Sequence, residues 1–153
     1  MSQFIGNSTN RIDSKGRVSV PPSFRPGLRK SDSDPADFVL RPSELHPCIE
    51  GWPKAVIAAM AQPPAEIDPF DEAAEDRALL WYGTAVEPSM DKEGRITLPK
   101  DLAEKAGITD EVMFIGVGSR FQIWAPAAGA ARLAEVSARR RASSRTAQAG
   151  GAA

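Results

Sequence analysis

The residues best placed to do chemistry in this 153-residue chain are cations at two corners of matching design. Asp13-Ser14-Lys15-Gly16-Arg17-Val18-Ser19-Val20-Pro21 is answered by Asp91-Lys92-Glu93-Gly94-Arg95-Ile96-Thr97-Leu98-Pro99, each matched position 78 residues further on. An arginine can bridge the O6 and N7 of guanine in the major groove, and a lysine suits a phosphate as a point charge. Lys15, Arg17, Lys92 and Arg95 are therefore candidate nucleic-acid contacts. Gly16 and Gly94 can take positive φ and so turn a tight corner, with Asp13 and Asp91 as its structural acids. The alternative use of Arg17 and Arg95 is to pair with Asp13 and Asp91; one carboxylate does not exhaust five guanidinium donors.

Other chemistries find little footing. A single histidine and a single cysteine leave no nucleophile and base pair, and no acid pair stands at a recognisable spacing. His46 and Cys48 do not close a metal site; they read as a turn histidine and a structural cysteine. Gly116-Val117-Gly118-Ser119 begins like a dinucleotide loop but lacks the third glycine and leads into a strand pattern, so a hairpin turn is expected. No enzyme activity, cofactor, metal or small-molecule substrate is expected. One cysteine cannot form an internal disulfide, which fits a reducing compartment. No apolar run approaches the ~20 residues of a membrane span, and Met1-Ser2-Gln3 has no signal-peptide pattern. A cytoplasmic protein is expected.

The formal net charge of −1 conceals an asymmetry. Residues 1–30 carry Arg11, Lys15, Arg17, Arg25, Arg29 and Lys30 against Asp13 alone. Residues 63–82 carry Glu66, Asp68, Asp71, Glu72, Glu75 and Asp76 against Arg77 alone. A polyanion-binding face with an acidic face elsewhere has this pattern, and so do plain solvated charge runs.

The corners need elements to hold them. Residues 4–12 read as a short strand, and Val18 and Val20 share one face of the next. Ser23-Phe24-Arg25 is a single helical turn stopped by Pro26-Gly27. Phe38-Val39-Leu40 and residues 48–52 form a hairpin; Pro53 opens a packed helix over residues 54–60, broken at Gln62-Pro63-Pro64. Residues 71–82 form the clearest helix, with Ala73, Ala74, Leu80 and Trp81 as packing candidates and Gly83 as its stop. The second half repeats the first: a strand over 84–87, the Asp91 corner, a helix over 100–106 closed by Gly107, and a hairpin of 111–117 with 120–124. Pro126 opens a last helix to about Arg141, and residues 142–153, small and polar, read as a disordered tail. The expected plan is a first repeat (1–53), a helical connector (54–82), a second repeat (83–125), a C-terminal helix (126–141) and the tail.

The two nonapeptides, Phe24-Arg25 after the first, and Val117-Gly118-Ser119-Arg120-Phe121-Gln122-Ile123-Trp124 together resemble the MraZ family of tandem AbrB-like domains, over roughly residues 1–125. The resemblance implies a mainly β, α+β fold: a duplicated AbrB-like swapped-hairpin β-barrel whose two half-domains share one core. It implies a sequence-specific DNA-binding regulator of transcription for the division and cell-wall gene cluster, nucleoid-associated, binding short direct repeats in double-stranded promoter DNA as a ring-shaped homo-oligomer. The family's basic corner residues carry over to Lys15 and Arg17, and to Lys92 and Arg95. Glu93 stands where the first copy has Lys15, which makes the second corner less basic. The rival is an antitoxin-like oligomeric interaction module, with the Ala/Arg helix and residues 71–82 as its contact surfaces.

Overall fold

The computed structural model describes residues 3–60 and 70–151. The expected break at Gln62-Pro63-Pro64 and the acids Glu66 and Asp68 lie outside them. Strand β1 (Asn7–Arg11) leads to the first corner and β2 (Arg17–Ser19). A hairpin of β3 (Phe38–Pro42) and β4 (Ile49–Pro53) follows. After the short α1 (Lys54–Ala58) comes α2 (Glu72–Ala78), which widens into a π-helical turn over Leu79–Gly83. The second copy comprises β5 (Arg95–Thr97), α3 (Lys100–Lys105) and the hairpin β6 (Glu111–Gly116) with β7 (Phe121–Trp124). Helix α4 (Pro126–Gly151) ends the described chain.

Pairing crosses between the copies. An antiparallel five-stranded sheet runs β1-β6-β7-β4-β3, and β2 pairs with β5 in a separate two-stranded ribbon. Among the described residues, β3–β4 and β6–β7 are the ladders formed within one copy. The sheet is open, with β1 and β3 at its edges, so the closed barrel expected from the sequence is not found; an open sheet with a short ribbon packed on it takes its place. The strand expected over 84–87 is one bridge, in which Val86 and Leu40 exchange both backbone hydrogen bonds at 2.8 Å. Pro88 lacks an N–H and cannot extend that ladder.

Period-2 alternation decides what is buried. Val112, Phe114, Phe121, Ile123, Ile49, Phe38 and Leu40 point inward from the sheet to meet Val18 and Ile96 of the ribbon. Phe121 lies at the centre, its ring centroid 5.2 Å from Phe4, 5.6 Å from Phe24, 6.1 Å from Phe38 and 6.0 Å from Phe114. Each such side chain contributes roughly 1.5–3 kcal/mol on burial. Gly51 makes room for Phe121 across the β4–β7 ladder: a Cβ there would fall 2.2 Å from its Cζ.

The outer face of the sheet carries the connector and α4, while α3 packs Leu102 into the inner core. Arg41, nearly buried, donates to Glu50 Oε1 at 2.7 Å and to the Leu80 carbonyl at 3.1 Å, and lies 4.0 Å from the centroid of Trp81. Trp81 meets Trp52 edge-on. These contacts dock the connector, and they correct its expected packing. Ala74 is buried, but Ala73, at the start of α2, is exposed, and within the π turn Leu80 is exposed while Trp81 packs against Arg41 and Trp52. α1 buries no residue, and Pro53 ends β4 as the cap of α1 rather than lying within it. The early helical turn covers Arg25–Gly27, running through Pro26-Gly27 instead of stopping there, since proline fits the start of a helical turn.

α4 packs on β6 and β7 through its first turns, where Gly129 lets the helix approach Met113 and Trp124. It then continues to Gly151 where a disordered tail was expected from residue 142. Ala142, Ala147 and Ala149 are the strongest helix formers, and an established helix extends more readily than a new one nucleates.

Candidate nucleic-acid interface

Both corners close in the same way. At the first, Asp13 Oδ1 accepts the backbone N–H of Lys15 and of Arg17, both at 2.9 Å, while Oδ2 accepts Arg17 Nε at 2.8 Å. At the second, Asp91 Oδ1 accepts Glu93 N at 3.1 Å and Arg95 N at 2.8 Å, and Oδ2 accepts Arg95 Nε at 2.7 Å. Gly16 and Gly94 turn the chain at φ of 79° and 84°. The backbone N–H of Arg17 is the main reason the Asp13 carboxyl lies below its ordinary range; the N–H of Arg95 does the same for Asp91. Arg95 is raised in turn, by its hydrogen bond to Asp91.

The structural and binding uses of these arginines prove compatible. Each is tethered to its aspartate through Nε, which fixes the plane of the guanidinium and leaves the terminal amino groups to be presented. Among the described residues, the terminal nitrogens of Arg17 make no hydrogen bond or ion pair within the chain. Arg95 differs, because Glu93 Oε2 lies 3.8 Å from its Nη2. The less basic second corner expected from Glu93 is thus visible as an ion pair on the arginine itself.

Ribbon register brings the corners together. Val18 pairs with Ile96 on the buried face, while Arg17 opposite Thr97 and Ser19 opposite Arg95 face outward. Arg17 and Arg95 are diagonal neighbours on that face, a relation that puts Cα atoms about 7–8 Å apart. The corners flank the ribbon at opposite ends: Leu98 donates to Gly16 O at 3.0 Å and Val20 to Gly94 O at 2.9 Å. Lys15 and Lys92 are exposed at these ends.

Two of the six early cations belong elsewhere. Arg29, only 6% exposed, reaches under the second corner to donate to the carbonyls of Met90 at 3.3 Å, Asp91 at 2.8 Å and Lys92 at 3.4 Å. Arg25 donates through Nε to Val20 O at 3.0 Å and lies over Gly94, where a Cβ would fall 2.1 Å from its Nε. A side chain at Gly94 would therefore have to displace Arg25 as well as adopt the positive φ. In the sequence both arginines belong to the basic run of residues 1–30, and the hint of a structural role is their position after Pro21-Pro22, beside apolar Phe24 and Leu28. Arg11, Lys15 and Lys30 remain exposed and among the described residues make no ion pair.

His46 and Cys48 stand as expected of structural residues. His46 stacks on Trp124 at 5.9 Å and its Nε2 lies 3.4 Å from Arg132 Nη2. Cys48 is buried, and desolvation pushes its thiol up to about 12. Gly116 to Phe121 form the hairpin turn, with Gly118 at φ 81°.

An outward two-stranded ribbon with tethered arginines defines a candidate β-ribbon polyanion binder. A family model described as "MraZ protein, putative antitoxin-like" matches residues 81–149. The chain is 53% identical over 134 residues to "Transcriptional regulator MraZ" of Gluconobacter oxydans, covering 86% of this chain and 81% of that one. It is 47% identical to the protein of the same name from Gluconacetobacter diazotrophicus, covering 92% and 90%, and 40% identical to that of Parvibaculum lavamentivorans, covering 91% and 86%. The chain belongs to the MraZ family.

Proposed function

We propose that this chain is a sequence-specific DNA-binding regulator of transcription that reads double-stranded promoter DNA with the β2–β5 ribbon. The observation that carries the reading is the shared outward face of Arg17 and Arg95, each oriented by an aspartate on Nε. A two-stranded ribbon fits the major groove, and a guanidinium held at Nε still offers terminal donors to a guanine edge. Lys15 and Lys92, exposed at the two ribbon ends, are suited to the flanking phosphates. The names of the relatives, transcriptional regulators, support the same class and speak of no enzyme. Arg17 is the principal reader; Arg95 contributes less because Glu93 competes for Nη2.

The finer reading follows the family. The two copies, residues 1–53 and 83–125, form AbrB-like half-domains exchanging strands, and cross-copy pairing supports this. Several copies of the chain assemble into a ring on short direct repeats upstream of the division and cell-wall gene cluster, in the cytoplasm at the nucleoid. Identical subunits side by side present their ribbons at a fixed spacing, so weak single contacts gain from raised effective concentration.

The test is a gel-shift titration on the chain's own upstream region, with footprinting scored for evenly spaced protection. Arg17→Ala should weaken binding by about 5- to 150-fold, the value of one bidentate guanine contact, with the oligomer mass unchanged; Arg95→Ala should weaken it less. Unaltered affinity for Arg17→Ala would refute the ribbon as the reader. A partner-binding role in place of DNA binding would show as capture of a protein that depends on residues 71–82 and not on Arg17.

A further inference from the structure

The distal half of α4 is a helix with no apolar reason to exist where it does. Every described side chain from Ser137 to Thr146 is exposed, and beyond Val136 the helix carries no large apolar residue. It therefore has no stripe with which to pack on its own sheet or on a second helix in coiled-coil fashion. What it does carry is Arg139, Arg140, Arg141 and Arg145, with no acid after Glu135. Glu135 is engaged by Arg132 at 3.5 Å, and among the described residues none of the four distal arginines makes an ion pair. At 3.6 residues per turn, Arg140, Arg141 and Arg145 fall within a sector of about 140°. Arg141 and Arg145 stand one turn apart, a like-charge spacing that costs helix stability until an anion lies between them.

We propose that this arm is a second DNA-binding surface, one that grips the phosphate backbone without regard to sequence. Charge complementarity selects the occupant. Guanidinium groups on a rigid rod match a regular array of phosphates, and a partner recognised through apolar anchors would find none here. The arm begins about 13 residues beyond β7, on a helix rooted on the sheet where Gly129 meets Trp124, and its arginines need no base contact to act on phosphates. The proposal rests on the reading of this chain as a DNA binder, but not on Arg17 or Arg95 as the readers.

The experiment uses the full chain and a variant with Arg139→Gln, Arg140→Gln, Arg141→Gln and Arg145→Gln, glutamine being a good helix former. Both are titrated by fluorescence anisotropy against a duplex from the upstream region and a scrambled duplex of equal composition, at 50 to 200 mM salt. If three phosphates are lost, wild-type affinity should fall about 40-fold more steeply than the variant's across this range, equally for both duplexes. Thermal melting and mass by light scattering verify that the variant folds and assembles alike. Unchanged affinity for the scrambled duplex would overturn the arm, as would a loss confined to the upstream duplex. A variant that loses its oligomer would overturn it too, making the arm an assembly contact with an acidic surface such as Glu72 and Glu75. Wild type binding both duplexes equally, with the variant weak on both, supports the arm and refutes sequence-specific reading. Selective wild-type binding that the glutamines leave untouched does the reverse, and binding to neither duplex refutes both.

Discussion

Arg29→Ala separates charge that binds from charge that builds. In the folded chain this guanidinium is spent on three backbone carbonyls of the second corner, from Met90 to Lys92, one of them at 2.8 Å. A hydrogen bond from a charged group contributes roughly 1.5–3 kcal/mol net. Here one bond is short and two are long, and the carbonyls can recover some water once the side chain is gone. The buried methylene stem adds packing that alanine cannot replace. The partner Asp32 is largely solvated, so its 3.6 Å ion pair adds little. The sum is about 2–4 kcal/mol, which for a chain of this length lowers Tm by roughly 4–16 °C. The assay is thermal unfolding by circular dichroism at fixed protein concentration, since assembly makes Tm depend on concentration. Arg29→Lys should recover only part of the loss, because a point ammonium cannot fork to several carbonyls. Arg17→Ala, by contrast, should move Tm by no more than about 2 °C while weakening DNA binding. A Tm for Arg29→Ala within about 2 °C of wild type would refute the assignment of this arginine to the corner. Full rescue by lysine would refute the forked geometry.

Four further outcomes follow from the same geometry. Asp13→Asn removes a negative charge beside the proposed DNA face, so bare electrostatics predicts tighter binding. If Asp13 orients Arg17, binding should weaken instead, and gel-shift titration reads the sign. Both corner carboxyls are held below their ordinary value of 3.8, so the unfolded chain takes up these protons first as pH falls. The stability they contribute is whole above that value and is lost below it, and Asp13→Asn with Asp91→Asn should flatten the acid limb of a Tm–pH profile. Cys48, with its thiol raised from 9.0 to about 12, should resist a thiol reagent at pH 8 until the chain is unfolded. Gly51→Ala drives a Cβ into the Phe121 ring and should lower stability by about 1–3 kcal/mol or more, measured by urea unfolding.

Much of this was legible in the residues, and the exceptions have physical reasons. The corners could be read because Asp, Gly and Arg at fixed spacing encode a local structure, in which every bond of Asp13 falls within four residues. The hairpins could be read because their strands alternate and their turns carry glycine. Arg25 and Arg29 could not, because what covers or binds them comes from the second copy, more than sixty residues away along the chain: Arg25, bonded locally to Val20 O, lies over Gly94, and Arg29 donates to the carbonyls of Met90 to Lys92. Trp81 packs as expected, but Leu80 does not, because regular helical spacing assumes 3.6 residues per turn and the π turn over Leu79–Gly83 departs from it. The continuation of α4 was missed because low complexity and small side chains suggest disorder, while alanine favours helix for the same lack of side-chain entropy.

The fold needs both copies, and their corners play unequal parts in it. Among the described residues, the ladders outside the two hairpins join one copy to the other, β1 to β6, β2 to β5 and β4 to β7, as do the bridges of Val86 with Leu40 and of Phe4 with Gly118, while the Met90–Ile96 bridge lies within the second copy. The ribbon that displays Arg17 therefore exists only when β5 is present to pair with β2, and the core beneath it needs Val18 and Ile96 together. Neither copy can bury its own hydrophobic face alone. The second corner therefore has a structural part in the fold apart from any in binding: Arg29 of the first copy donates to its carbonyls, and within its own copy Glu93 pairs with Arg95. Among the described residues, the terminal amino groups of Arg17 make no hydrogen bond or ion pair within the chain, which is what the proposed reading of a base edge requires.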